Sequence, residues 1–530
     1  MQPVLTAAEM GALDRFTIET LGLDGKLLMS SAAREVLRVL RERFPRARRP
    51  LIFAGVGNNG GDGVALALYA QHAGLSPTLV LCHPEIAEPP QLSPDSAYFL
   101  AIARQSYVPV RLLGNPALAP EVLTNEQCEI VVDALFGTGL DRPLGEYYTA
   151  LIERLNLSSC PRLAVDCPSG LNCTTGEVLG AAVAAQLTVT MGYPKRGFFH
   201  PRAWRYTGEV VSVPIGFAPL LDAALTPGAQ AWGDVLWEPL RTARVADTHK
   251  GDYGKLLVVA GHREYPGAPR LVARAAMRSG AGLVRLVVPE PIYGVCCDDP
   301  SLMVSAHPAA SDGGFPAEPS ETLLNWQDWA DALVIGPGLG DSLSAQMLVR
   351  ALLGRRDMPT VVDADGLRAL GNTWAPPAER EWPLVLTPHV GELARLQALA
   401  PQQALDEWFE LVSHAAVERQ ALLLAKSNQC VIGMPNGSLI FPARGHPALA
   451  SGGTGDVLSG IIGALLARLA VHAPELAAER IHAQSEVVAS AVNIHAAAAR
   501  AGVERWGENG LTATDLADLV PEGIRRLAGV

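Results

Sequence analysis

The sequence lacks an excess of positive charge. Lys and Arg total 42 against 54 Asp and Glu, which gives a formal net charge of −12 and leaves no long basic run. Because binding to nucleic acid needs clustered positive charge, this composition argues against a nucleic-acid partner. A small anionic ligand remains compatible with it, since backbone amides bind phosphate whatever the net charge.

Cysteine pairs with metal-binding spacing are also missing. The eight cysteines are scattered, and none forms a C-x-x-C pair with a matching partner, which argues against zinc. A chain of this length buries a core without covalent staples, so the scatter predicts reduced thiols in a cytosol. The N-terminus has no signal-peptide pattern, and the apolar run 461–470 is too short for a membrane span. We therefore expect a soluble cytoplasmic protein with no membrane partner.

What the sequence does contain is two series of short apolar runs. The first includes runs at 130–133, 163–166 and 187–190, with helical patterns at 26–44 and 63–73. The second series has runs at 255–260, 283–288, 332–335, 360–363, 383–386, 421–425 and 430–432, and helical patterns at 268–279 and 455–469. Strands that alternate with helices predict an α/β fold, with a parallel sheet covered on both faces in each half. The stretch 217–234 shows neither the helical nor the strand periodicity of apolar residues. It predicts a linker between domains 1–216 and 235–530.

A glycine-rich loop, FAGVGNNGGDG at 53–63, lies between the first predicted strand and a helix. Gly55, Gly57 and Gly60 fit G-x-G-x-x-G, a pattern whose bare amides approach phosphate at a helix N-terminus. The alternative is a turn in which Asn and Asp only support the backbone and cap the helix. The density of special residues favours a ligand site.

Two carboxylates follow later strands of the same half. Asp133 ends IVVD and Asp166 ends LAVD. The carboxyl ends of parallel strands form the ligand crevice of an open sheet, so both acids are suited to hold a cation or to exchange protons. The alternative is that each acid caps the turn that follows it.

The strings GVGNNGGDG, VVDALFGTGL and AVDCPSGL together resemble the NAD(P)HX epimerase domain over about residues 1–215. The resemblance implies a Rossmann-like three-layer fold that interconverts the R and S forms of hydrated NADH or NADPH at carbon 6. It implies a potassium ion on Asn59, Asp133 and Ser169, and catalysis by Asp166. The implied substrate site comprises Asn58, Asn59, Gly60, Gly61, Asp62, Gly137, Thr138, Gly139, Leu140, Asp141, Arg142, Pro143 and Asp166.

The second half contains a denser glycine string, ASGGTGDVLSG, before an apolar helix. Gly452, Gly453 and Gly455 leave amides bare, as in an anion hole. Asp456 lies at its rim, where a like charge is poorly suited to bind phosphate but well suited to take a proton from an attacking hydroxyl. The alternative is a helix cap that satisfies the dipole.

Together with VIGPGLG, VVDADGLRAL and LTPHVGELARL, this string resembles the ribokinase-like superfamily, most closely its ADP- or ATP-dependent NAD(P)HX dehydratases, from about residue 237. The resemblance implies a ribokinase-like three-layer α/β fold. It implies a hydrated-nicotinamide site at Ala268, Gly338, His389 and Asp456. The implied nucleotide site comprises Lys426, Ser427, Asn428, Gln429, Cys430 and Gly455. The sequence departs from the family pattern at Ser427, Asn428, His446 and Arg368.

The implied reaction begins with phosphoryl transfer, as in a kinase, and ends with elimination of the phosphate. Asp456 assists the C6 hydroxyl in attacking the terminal phosphoryl of ADP, the co-substrate, while Mg²⁺ and the glycine amides hold the developing charge. Phosphate then leaves, giving NAD(P)H and AMP. The alternatives are a small-molecule kinase fused to a dinucleotide-binding domain, and a dinucleotide sensor without turnover. We expect hydrated NADH or NADPH and ADP as ligands, and a homo-oligomer.

Overall fold

The computed structural model describes residues 2–85, 91–242, 244–371, 374, 380–473 and 477–529. The chain forms two compact units, Gln2–Ala229 and Gln230–Val530, here called the first and the second unit. The linker and the domain limits drawn from the sequence stay predictions. The structure does place a strand, Ala229–Gly233, within the predicted linker.

The first unit is built on a parallel sheet. The strands of this sheet are β2 (Pro50–Ala54), β3 (Thr78–Cys82), β4 (Val110–Leu113), β5 (Ile130–Ala134), β6 (Arg162–Val165), β7 (Leu187–Met191) and β8 (Glu209–Val213), and the short strand β1 (Gln2–Val4) is not part of it. Its helices are α1 (Ala7–Arg15), α2 (Gly25–Arg43), α3 (Asn58–His72), α4 (Pro94–Gln105), α5 (Ala119–Asn125), α6 (Glu146–Leu157) and α7 (Trp204–Thr207). Seven strands pair in the order β4-β3-β2-β5-β6-β7-β8, and every neighbouring pair is parallel.

Both faces of this sheet are buried. Along β2, Ile52 packs in one hydrophobic cluster with residues of α2 and α3, while Leu51 and Phe53 pack in another with residues of α6. Side chains alternate across a strand, so each face has its own core and the three-layer prediction is confirmed.

The second unit repeats the architecture with more strands. They are β9 (Ala229–Gly233), β10 (Lys255–Val259), β11 (Leu283–Pro289), β12 (Met303–His307), β13 (Ala332–Ile335), β14 (Thr360–Val362), β15 (Val385–Leu386), β16 (Leu422–Ala425), β17 (Val431–Gly433) and β18 (Leu439–Pro442). The helices are α8 (Gly267–Arg278), α9 (Tyr293–Cys296), α10 (Glu321–Trp329), α11 (Leu343–Arg355), α12 (Asp365–Leu370), α13 (Val390–Leu396), α14 (Pro401–Asp406), α15 (Trp408–Glu418), α16 (Thr454–Val471), α17 (Ala477–Trp506), α18 (Ala513–Asp518) and α19 (Val520–Ala528). The order is β9-β18-β17-β16-β15-β14-β13-β10-β11-β12, parallel from β16 to β12 and antiparallel through β17 and β18.

Its central strands are likewise covered on both faces. Leu256 and Val258 of β10 belong to a cluster with α8, α16 and α17, whereas Leu257 and Val259 belong to one with α10 and α11. Helix α16 is apolar and long enough, by length and composition, to span a membrane. However, 72% of that window is buried inside the fold, as expected for a core helix.

Two sequence expectations need correction. Helix α3 begins at Asn58 rather than at 63, because the glycine-rich segment itself forms the first turns of the helix. Cys167 and Cys173, both buried, are joined in a disulfide, so not all eight cysteines are free. Their spacing gave no sign of this, because the loop after β6 folds back on itself to bring them together.

Candidate active sites

The first site lies at the carboxyl edge of the first sheet. There β2 leads into α3, β5 into the loop 135–143, β6 into Asp166, and β7 into Lys195. A cavity of about 680 Å³ opens over this edge. Its lining includes ten of the residues implied for the hydrated dinucleotide: Asn58, Asn59, Asp62, Gly137, Thr138, Gly139, Leu140, Asp141, Arg142 and Asp166. Gly60 and Gly61 lie buried in the first turns of α3, and Pro143 lies beyond the lining.

Backbone amides at both loops are available to an anion. Within the described chain, no group accepts a hydrogen bond from the amides of Asn58, Asn59 or Gly60, nor from those at 137–139. Close packing keeps the first loop in place, since a Cβ at Gly60 would lie 1.9 Å from the carbonyl oxygen of Gly55. Free amides at a helix N-terminus are a ready phosphate site.

Asp166 is held by a buried ion pair. It has a φ of 64°, in the left-handed region, which turns the chain sharply at the end of β6. Its Oδ1 accepts from the Lys195 ammonium at 2.7 Å, from the Thr190 hydroxyl at 3.3 Å and from the Met191 amide at 3.2 Å. The Lys195 side chain is 0% exposed and the Asp166 side chain 12% exposed. Burial lowers the pKa of Lys195, while Asp166 acts in the opposite direction.

Asp133 is fully buried and does not line the cavity, whereas Asp166 does. Its carboxylate accepts from the Ser169 hydroxyl at 2.6 Å and the Ser169 amide at 2.8 Å, and from the Leu135 amide at 3.2 Å. Burial raises the pKa of Asp133 to about 6 against these hydrogen bonds. The Asn59 amide nitrogen is buried without a partner among the described residues. A buried carboxylate that is bonded to no basic side chain among the described residues, and is flanked by hydroxyl and amide groups, suits a hard monovalent ion.

Sequence reasoning missed two groups at this site. Asp14, from α1, lines the cavity, and burial together with the Asp166 charge raises its pKa. No sequence signal marks it, because α1 lies outside the strand-and-loop series. Lys195 was findable, since it closely follows a predicted strand, as Asp166 does.

The second site uses the same edge of the second sheet. Five parallel strands end side by side in the order β16-β15-β14-β13-β10. After them come the residues implied for substrate and nucleotide, together with a buried acid: Lys426 after β16, His389 after β15, Asp363 after β14, Gly338 after β13 and Ala268 after β10. A Cβ at Gly338 would lie 3.1 Å from that of Ala268, so the chain brings those two positions into contact.

A buried acid, Asp363, organises this edge. Its carboxylate accepts from the Lys426 ammonium at 2.6 Å, from the Thr387 hydroxyl at 2.7 Å and from the Ser459 hydroxyl at 2.6 Å. Burial alone would raise the pKa of Asp363, but Lys426 and the two hydroxyls outweigh it, and the pKa lies below its usual value. Asp363 is therefore an anion that fixes a lysine.

Asp456 has the opposite environment. Burial, followed by the charge of Asp363, raises the pKa of Asp456 to about 7. Lys426 acts against this shift, and its ammonium lies 3.5 Å from where a Cβ on Gly455 would be. A carboxyl that titrates near neutral pH is suited to accept a proton in a reaction.

The glycine string forms an open cradle. In the described part of the chain, nothing accepts from the amides of Gly452, Gly453, Gly455 or Asp456. Gly453 has a φ of 87°, which favours glycine, and a Cβ there would meet Leu271 at 2.6 Å. These amides lie at the start of the 18-residue helix α16, an arrangement that stabilises developing negative charge.

His389 is the N-cap of α13, directly after β15. Its Nδ1 accepts from the amides of Gly391 at 3.0 Å and Glu392 at 3.3 Å, so the proton of a neutral ring is on Nε2. The backbone of His389 pairs with that of Lys426. Its Nε2 lies 3.5 Å from Oε1 of Glu392, and 60% of the His389 side chain is exposed.

The departures from the family pattern have local partners. Ser427 and Asn428 shape the turn between β16 and β17, where the side chains of both accept from the Gln429 amide, at 3.2 and 3.0 Å. His446 caps the short turn that follows it. Arg368 forms an ion pair with Asp341. The remaining nucleotide residues, Gln429 and Cys430, are buried in the same turn.

Comparison with known proteins places both sites in a family context. Residues 256–522 match the family described as NAD(P)H-hydrate dehydratase, and residues 25–197 match the YjeF-related protein N-terminus. The chain is 34% identical to a bifunctional NAD(P)H-hydrate repair enzyme Nnr of Pyrobaculum aerophilum, over 99% of this chain and 98% of the relative. It is 32% identical to the protein of that name from Escherichia coli, over 95% and 90%. A crystal structure of ADP/ATP-dependent NAD(P)H-hydrate dehydratase from Bacillus subtilis, co-crystallized with ATP/Mg²⁺, is 30% identical, with a TM-score of 0.45, over 55% of this chain and 98% of that one.

Proposed function

Because the chain belongs to the family of bifunctional NAD(P)H-hydrate repair enzymes, we propose that each of its two sheet edges carries one of the family's two reactions. The chain is an enzyme that combines an NAD(P)H-hydrate epimerase with an NAD(P)H-hydrate dehydratase. What supports the assignment of the sites is that both edges pair free backbone amides with a buried acid.

At the first edge the proposed reaction is epimerisation at carbon 6. The amides at 58–60 and 137–139 bind substrate phosphates. Carbon 6 carries a hydroxyl and neighbours the ring nitrogen, so a carboxylate such as Asp166 assists loss and return of the hydroxyl on either face. Gly137 keeps the carboxylate accessible, because a Cβ there would lie 3.2 Å from its Oδ2.

At the second edge the proposed reaction is ADP-dependent dehydration of the S form. Asp456 takes the proton from the C6 hydroxyl as that oxygen attacks the terminal phosphoryl of ADP. The amides of the glycine cradle and the Lys426 ammonium hold the developing charge. Phosphate then leaves, giving NAD(P)H, AMP and phosphate as products.

The proposals for potassium and for Mg²⁺ rest on different observations. Asp133 and Ser169, which are bonded to each other, would hold potassium together with the Asn59 side-chain oxygen, and the ion's charge would compensate the buried carboxylate. For Mg²⁺ the described residues include no group of three or more His, Cys, Asp or Glu side chains that would hold a metal. Mg²⁺ is commonly held largely by substrate phosphates, so it would accompany ADP.

Potassium should therefore stabilise the protein against heat. Replacing potassium by tetramethylammonium should lower the melting temperature, because a potassium concentration 100 times its Kd adds about 2.7 kcal/mol. The difference should be larger at pH 8 than at pH 5, since Asp133, whose pKa is raised to about 6, is an anion only at the higher pH. Thermal melts of the full chain in the two salts measure this. The variant Ser169→Ala, which removes one proposed ligand, should show a smaller difference in melting temperature between the two salts. Equal melting temperatures of the unaltered protein in the two salts contradict the site.

One assay separates this function from its alternatives. Chemically hydrated NADH is incubated with protein, ADP and Mg²⁺, and the recovery of reduced-nicotinamide absorbance is followed. A small-molecule kinase or a dinucleotide sensor gives no recovery. A homo-oligomer and a cytoplasmic location remain predictions from sequence.

A further inference from the structure

Three carboxyl groups from three different elements meet at the first cavity. Asp14 comes from α1, Asp62 from the second turn of α3, and Asp166 from the end of β6. Among the described residues, one positive group is bonded to these acids. It is the buried Lys195 ammonium, which contacts Asp166. The three acids therefore occupy different electrostatic environments in one cavity.

Asp166 is an ion-paired carboxylate with one oxygen committed and one free. Its Oδ1 accepts the bonds from Lys195, Thr190 and the Met191 amide. Its Oδ2 faces Gly137 and accepts no hydrogen bond from the described residues. This oxygen is available to take a proton from a water molecule in the cavity.

Asp62 is the opposite case. Its carboxyl has neither a hydrogen bond nor an ion pair with any described residue, so no described side chain stabilises its anion. The charged groups that face it are Asp166 and Asp14, with Arg15 beside Asp14 and Lys195 beyond Asp166. Burial, then the charges of Asp166 and Asp14, raise the pKa of Asp62 well above its usual value.

We infer that Asp62 is the proton donor of the epimerase and Asp166 its proton acceptor, with Asp14 a positioning residue that keeps Asp62 protonated. The inference rests on the proposed location of the epimerase in this cavity. An ion-paired carboxylate with a free oxygen and an unbonded carboxyl in one cavity are the arrangement that divides acid and base roles.

The proposed step is balanced within the site. The C6–O bond breaks with its electron pair on oxygen, Asp62 protonates that oxygen, and water departs. The ring nitrogen supplies the electron pair for a C=N bond. A water molecule then adds to the opposite face of carbon 6, and its proton goes to Asp166. Transfer of one proton from Asp166 back to Asp62 through water restores the enzyme, and the reverse epimerisation uses the two groups in exchanged roles.

The first test is Asp62→Asn in the full chain, with the two epimers resolved by chromatography. We expect kcat for epimerisation to fall about 10²- to 10⁴-fold, the usual contribution of a proton donor, while KM changes little. In the unaltered enzyme, kcat should decline as pH rises through the pKa of Asp62. The residual activity of the variant should lack this decline. Retention of wild-type kcat, or of the alkaline decline, overturns the proton-donor role.

The second test does not depend on how well that variant folds. Asp14→Asn removes a negative charge facing Asp62, so the alkaline decline of kcat should move to lower pH. A merely structural role for Asp14 would change the rate without moving the profile, and an unmoved profile overturns the inference. Glu153→Gln, an exposed carboxylate on α6, is the matched control and should leave the profile unchanged.

Asp166→Asn distinguishes the inference from the site assignment on which it rests. Loss of epimerisation in Asp166→Asn with full activity in Asp62→Asn overturns only the proton-donor role. Full activity in both variants overturns the location of the site itself.

Discussion

Replacing Asp456 by Asn should remove ADP-dependent dehydration and leave epimerisation intact. Asp456 lies at the rim of the open amide cradle, and burial and Asp363 raise its pKa to about 7, a value suited to a general base. Asn cannot accept the proton, so dehydration should slow about 10²- to 10⁴-fold. Recovery of reduced-nicotinamide absorbance measures dehydration, and chromatography of the two epimers measures the other reaction in the same sample.

The change is close to isosteric, which limits its effect on folding. A melting scan should show the cooperative transition of the unaltered protein. Glu508→Gln, an exposed acid of the second unit, is the control and should dehydrate at the original rate. If Asp456→Asn keeps most of its dehydration rate, Asp456 is not the base.

The pH profile of the unaltered dehydratase carries the same information. A base must be ionised to accept a proton, so the rate should be low in acid and rise as pH passes through about 7, the pKa of Asp456. A rate that is already constant from pH 5 upward is inconsistent with this assignment.

Replacing Asp166 by Asn should produce the complementary defect. The neutral amide no longer forms the ion pair with Lys195 and cannot take up a proton, so epimerisation should fall about 10²- to 10⁴-fold. With a mixed-epimer substrate, ADP and Mg²⁺, the variant should convert the S form and then stop. The R form should disappear only at its slow spontaneous rate.

Mixing the two variants makes the test stricter. Asp166→Asn supplies the dehydratase and Asp456→Asn supplies the epimerase, so together they should carry a mixed-epimer sample to completion. Rapid clearance of both epimers by Asp166→Asn alone contradicts the division of labour between the two sites.

The sequence pointed to the first candidate site because its glycine string and its acids directly follow strands. Parallel strands end at one edge, so Asp166 and the loop at 58–62 had to be near one another once the sheet was recognised. In the second half the same reasoning applied to His389, whereas Asp456 was proposed from the glycine string that precedes an apolar helix, and Lys426 from the resemblance.

The sequence did not indicate how deeply each acid is buried or which side chain it contacts. Asp133 and Asp166 were equivalent as acids that end strands, yet one lies buried beneath the loops and the other opens to the cavity. That difference depends on Lys195 and on the turn at Asp166, which involve contacts distant in sequence. The strands β4 and β12 were missed, and both are edge strands whose exposed positions interrupt the apolar pattern. The strands β3 and β18 were missed as well, although all their positions are buried.

The bonding of Asp363 has a consequence for how the second unit opens. This one carboxylate ties together the end of β14, Thr387 after β15, Lys426 after β16 and Ser459 of α16. Because one carboxylate bonds to all four elements, separating any of them breaks a bond to Asp363. Their amides should therefore exchange with deuterium only when the unit opens most completely. The base and the cradle on α16 would then be held in their reactive arrangement before any nucleotide arrives, and little of the binding energy of ADP would be spent on ordering them.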